Sequence, residues 1–147
     1  MDYLRFAAEH DPVAVVKFGL LQPATAHRKV LPPEVYHAAR IAATQTADCG
    51  TCVQIEVNAA RKAGVPGETV RALLAGEADD LRDVVAFART TARYEDPGGD
   101  LRQRIAARHG ERGLVELALA VTTALMYPTM KRALGFATAC ALVDVEV

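Results

Sequence analysis

The chain has 147 residues, of which 51% are hydrophobic and 24% charged, and its formal net charge is -1. That balance suits one globular domain with a single core and excludes an intrinsically disordered chain. Acidic and basic residues interleave with no basic block, which argues against nucleic acid as a partner.

Helix-period patterning runs nearly throughout, so the expected fold class is all-α, with one domain spanning 1–147. Asp11-Pro12 reads as an N-cap and first helical position for a segment reaching about Leu21, ended by Gln22-Pro23. Residues 23 to 31 read as a connection. Pro32-Pro33-Glu34 opens a helix from Glu34 to Thr46, whose apolar positions are Val35, Ala38, Ala39, Ala42 and Ala43. Their small size permits close helix approach. Asp48 is a good N-cap for a helix from Cys49 to Ala63, which Gly64 closes.

The Val65-Pro66-Gly67-Glu68 turn then leads into a short helix through Leu74, stopped by Gly76. A helix from about Asp79 to Tyr94 carries Leu81, Val84, Val85, Ala88 and Ala92 on one face. Asp96 to Asp100 is the clearest loop. A helix from Leu101 to His109 is closed by Gly110, and a long one follows from Glu111 to about Leu134, with a kink expected at Pro128. Val143 to Val147 alternates with a strand-like period, but one short strand has nothing to pair with. The tail from Phe136 is therefore expected as helix fading to coil.

The apolar stretch Leu114 to Tyr127 contains Glu116 and stops at Pro128, which is shorter than a bilayer-crossing helix needs. Asp2, Arg5 and Glu9 stand where a secretory signal requires an apolar run. These features predict a cytoplasmic protein with no membrane partner.

In a reducing compartment, three cysteines point to reactive chemistry rather than a disulfide scaffold. Cys49 and Cys52 form a Cys-Gly-Thr-Cys pair, while Cys140 sits among apolar residues and reads as a small buried side chain. At a helix start, the i, i+3 spacing puts both sulfurs on one face. Free N–H groups and the positive end of the helix dipole pull thiol pKa values below the usual figure of about 8.5, most of all for Cys49. Half of a structural zinc site is the competing reading. It needs a second close-spaced ligand pair, which Cys140 and the histidines at 10, 27, 37 and 109 do not supply, so no metal is expected.

Glu56 follows Cys52 by four residues and shares its helical stripe, where it reads equally as a proton relay or as a solvated glutamate. His37 lies on the preceding helix, and an antiparallel hairpin folds it back toward Cys52 and Glu56. An imidazole with an ordinary pKa of about 6.5 is the natural proton shuttle at neutral pH, with a partly buried or surface histidine as the alternative. Tyr36 and Tyr127 read as packing residues.

Residues His37 to Gly64, with the following Val65-Pro66-Gly67-Glu68 and the run to Leu74, resemble the carboxymuconolactone decarboxylase and alkylhydroperoxidase D superfamily. The resemblance covers residues 33 to 75 and is only topological beyond them. It implies an alkylhydroperoxidase D-like bundle of about six to seven helices, with the Cys-x-x-Cys at the N-terminus of a central helix. The redox branch of that family carries a glutamate, then twelve residues on a Cys-x-x-Cys, then a histidine four residues after the second cysteine. Here His37 stands in the place of the glutamate and Glu56 in the place of the histidine, so the two relay residues are exchanged.

The resemblance implies Cys52 as the peroxide-attacking thiol, Cys49 as the resolving one, and a His37/Glu56 relay. The expected activity is a thiol-dependent peroxidase or dithiol-disulfide oxidoreductase. It would act on a small peroxide or disulfide with an external dithiol reductant and without a cofactor. A homo-oligomer, a trimer or hexamer, is also implied. Two alternatives stand beside this: a cofactor-free decarboxylase-type enzyme using His37 as acid and base, and a non-catalytic redox-sensing module. The exchange raises one electrostatic problem. A carboxylate beside Cys52 opposes thiolate formation unless Glu56 is neutralised, and protonation of His37 or of Glu56 itself would do this.

Overall fold

The computed structural model describes residues 2–47 and 50–137, and they are all-helical, with no strand among them. Asp48, Cys49, Cys140 and the Val143–Val147 alternation lie outside the described residues. The elements in chain order are α1 (Asp2–His10), α2 (Pro12–Gly19), α3 (Gln22–Thr25), α4 (Pro33–Thr46), α5 (Gly50–Lys62), α6 (Gly67–Ala75), α7 (Arg82–Ala92) and α8 (Gly99–Ala133), with a 3-10 turn at Asp79–Leu81 before α7.

α4 is the hub, packing against α5, α6, α7 and α8. Every residue from Val35 to Thr44 is buried, because Ala38, Ala39, Ala42 and Ala43 let neighbouring helices approach on all sides. Around Ile41 of this hub, Val57, Val70, Phe87, Ile105, Leu117 and Val121 complete one continuous core. Leu117, Ala120, Val121 and Ala124 bury one face of the apolar 114–127 segment in the core, while Val115 is exposed.

Local signals fix several helix ends. The Asp11 carboxylate accepts the Ala14 N–H at 2.9 Å, capping α2. Gly64 and Gly76 adopt positive φ after α5 and α6, where the Val65 N–H reaches the Ala60 carbonyl and the Glu77 N–H the Ala72 carbonyl. α8 leaves helical values at Gly110 (φ 75°, ψ 165°), where the sequence predicts a stop, whereas Pro128 is carried inside the helix.

Other boundaries differ. α1 and α3 fall where the sequence predicts no helix, and α2 ends at Gly19 rather than Leu21. α8 begins at Gly99, inside the expected Asp96–Asp100 loop, and ends at Ala133, close to the expected Leu134. By length and composition it could cross a membrane, yet 44% of its most apolar window is buried inside the fold. Within that helix Glu116 is buried and accepts the backbone N–H groups of Lys29, Val30 and Leu31, which anchors the α3–α4 connection.

Candidate functional site

Cys52 lies in the first turn of α5, with its side chain buried on the wall of a cavity of about 890 Å³. His37 and Arg40 of α4, Glu56 of α5 and Tyr127 of α8 share that wall. The fold therefore brings together the three described residues that the sequence singled out: Cys52, His37 and Glu56. The fourth, Cys49, lies outside the described residues. Tyr36 and Tyr127, read from sequence as packing residues, also line the cavity.

The remaining wall is apolar. Leu4 of α1, Val15 and Phe18 of α2, and Ile55 and Ala59 of α5 contribute to it. α1 and α2 thus form one side of the chamber, held to the body by Phe18 set edge-on to Tyr127 and by the Gln22 amide donating to the Tyr127 hydroxyl. The Tyr36 hydroxyl donates to the Thr25 carbonyl at 2.6 Å and fixes α3 over the start of α4.

Glu56 is not a solvated helix-face residue. It is 7% exposed, and both of its oxygens accept from Arg40, Nε to Oε2 and Nη2 to Oε1, each at 2.7 Å. This two-pronged geometry is the strong form of a charge-assisted pair. Arg40 is in turn held by Nη1 donating to Thr123 Oγ1 at 2.8 Å, to the Ala120 carbonyl at 3.4 Å and to the Tyr36 hydroxyl at 3.5 Å. The carboxylate–imidazole pair expected from the exchanged relay is thus replaced by a carboxylate–guanidinium pair. The reason is geometric: Arg40 stands three residues after His37, on the part of α4 that faces Glu56 across the α4–α5 contact.

His37 is 8% exposed, and its Nδ1 has no hydrogen-bond partner among the described residues. Burial pushes its pKa down to about 4, an effect that Glu56 opposes and Arg40 reinforces. At neutral pH the ring is uncharged and retains an unused polar atom. The Tyr36 ring packs edge-on against it with centroids 5.2 Å apart.

Arg40 is the site residue that sequence reasoning missed. The available signal was a lone arginine inside the apolar run Ala38 to Ala43, since a charge in the buried stretch of a helix must find a partner. Among the described residues no group of three or more His, Cys, Asp or Glu side chains is arranged to hold a metal ion.

These observations define an all-helical protein with a thiol, a neutral imidazole and a buried ion pair on one chamber. No protein-family model, curated protein or solved structure matches the chain.

Proposed function

We propose that this chain is a thiol-dependent peroxidase, or dithiol-disulfide oxidoreductase, of the alkylhydroperoxidase D-like kind. The observation that carries the reading is the Cys52 thiol in the first turn of α5, on a chamber it shares with His37 and the Arg40–Glu56 pair. A helix start favours the thiolate, and a chamber gives a peroxide somewhere to dock beside it.

In the proposed cycle the Cys52 thiolate attacks the distal peroxide oxygen. The O–O bond breaks, Cys52 becomes a sulfenic acid, and the leaving alkoxide or hydroxide takes up one proton. His37, neutral in this setting, passes that proton without carrying a charge into the chamber. The Cys49 thiol then displaces water from the sulfenic acid to give a Cys49–Cys52 disulfide. An external dithiol returns both cysteines to thiols and leaves as its own disulfide, so no metal or organic cofactor takes part in the electron balance. A cytoplasmic, reducing location belongs to this reading because the dithiol must be replenished.

A homo-oligomer, trimer or hexamer, is part of the same proposal. Its support is exposed apolar surface: Val13 and Val16 of α2, Leu20 at its C-terminal end, and Val115 of α8.

The test is steady-state peroxide reduction with a dithiol reductant. Cys52→Ser abolishes turnover, and His37→Ala lowers it by about 10²–10⁴, the range typical of a lost acid–base group. A wild type without turnover on several peroxides and reductants, yet with a reversible Cys49–Cys52 disulfide, would sink the peroxidase and leave a redox sensor.

A further inference from the structure

The electrostatic problem at Cys52 has a solution that the sequence did not suggest. Glu56 follows Cys52 by one helical turn, so their Cβ atoms lie about 5–6 Å apart. At that separation in a partly desolvated site, an uncompensated carboxylate raises a thiol pKa by roughly 1–3 units. Arg40 meets this carboxylate through both oxygens, and its own position is fixed by Thr123 and the Ala120 carbonyl of α8.

We propose that Arg40 is a positioning residue whose guanidinium cancels the charge of Glu56 one turn from Cys52, so that the thiolate forms without an opposing anion. The inference rests on the proposed reading only in taking Cys52 as the reacting thiol. A buried two-pronged pair performs this task better than a protonated His37, because arginine stays charged across the whole working pH range. His37 is uncharged at neutral pH and adds no competing cation. The other ionisable groups on the chamber wall are Tyr3 on α1, Arg28 before α4, Tyr36 on α4, and Tyr127 and Lys131 on α8. They are the same in every variant below, so differences between variants report on the ion pair.

The experiment is the pH dependence of alkylation of Cys52 by iodoacetamide, in a chain whose Cys49 and Cys140 are serine. Glu56→Gln keeps the cation and an acceptor but removes the anion, and is expected to lower the thiol midpoint by about one unit. Arg40→Met with Glu56→Gln removes both charges and is expected to return the midpoint to within about half a unit of the parent. The double variant buries no unpaired charge, so a displaced midpoint there can still overturn the proposal if the single one does not fold. An unchanged midpoint in Glu56→Gln, or a double variant displaced by about one unit or more, overturns the proposal and leaves the pair as structural only. Alkylation requires no turnover. Shifted midpoints in a protein without peroxidase activity would therefore refute the peroxidase and leave the role of Arg40 standing.

Discussion

Arg40 and Glu56 join α4 to α5 across sixteen residues of sequence, Nε to Oε2 and Nη2 to Oε1 both at 2.7 Å, with both side chains buried. Such a pair contributes little net stability relative to a well-packed apolar pair. Breaking it is costly, because the surviving charge stays buried. Arg40→Met alone is therefore expected to destabilise the fold by roughly 3–5 kcal/mol, and the double change Arg40→Met, Glu56→Gln by much less. Urea unfolding of the wild type, both single variants and the double variant closes the cycle. Additive losses in the double variant would show that the two side chains are not coupled.

His37 gives a pH signature. Its folded pKa, pushed by burial to about 4, lies below its ordinary value of 6.5. The unfolded chain thus binds a proton in a range where the folded chain does not. The stability contributed by the neutral ring is fully present above pH 6.5 and is lost as pH falls toward 4. An NMR titration of the ring protons is expected to find the His37 midpoint near 4. In His37→Gln the fall of stability over this interval is shallower. A His37 midpoint near 6.5 would show that the ring is solvated and would remove the neutral-shuttle argument.

Glu116 is an anchor rather than a catalyst. Burial raises its pKa, but three backbone N–H bonds from Lys29, Val30 and Leu31 outweigh that and hold it below its ordinary 4.5. Glu116→Gln leaves an N–H₂ facing backbone donors and is expected to cost roughly 1–3 kcal/mol at neutral pH. Because the folded pKa is depressed, this stabilisation is present above pH 4.5 and is lost as pH falls through the lower folded value. The gap in urea midpoint between wild type and variant should accordingly narrow as pH falls below 4.5. A gap that stays constant down to pH 3 would mean that the carboxylate charge is not what holds the connection.

Gly113 tests the packing at the break in α8. A Cβ there would lie 2.7 Å from the His109 Cβ and 3.3 Å from Leu31 Cδ2. Alanine gains about 1 kcal/mol of helix propensity over glycine, while forcing a methyl into a filled space costs roughly 1–3 kcal/mol. Gly113→Ala is expected to be net destabilising, since the nearest atom is a Cβ and not the end of a flexible chain. Gly99→Ala, whose Cβ meets nothing within 4 Å, serves as the control and is expected to be neutral or stabilising. Thermal melts that rank the two variants the other way would contradict this packing.

What the sequence determined by itself is local. Asp11 caps α2, Gly64 and Gly76 end α5 and α6 at positive φ, and Gly110 breaks α8, because each depends only on backbone geometry within a few residues. The burial of α4 was also legible, since a run of alanines beside Val35 admits close neighbours on several faces. So was the meeting of His37, Glu56 and Cys52 on one wall, which follows from two helices joined by a short turn. Only the tertiary structure decided which charges pair. Arg40 takes Glu56 in place of His37, and Glu116 reaches the 29–31 backbone across more than eighty residues. Those choices depend on how helices cross and how far they slide along one another. A shift of one helical turn would have exchanged the partners while leaving every local signal in the chain unchanged.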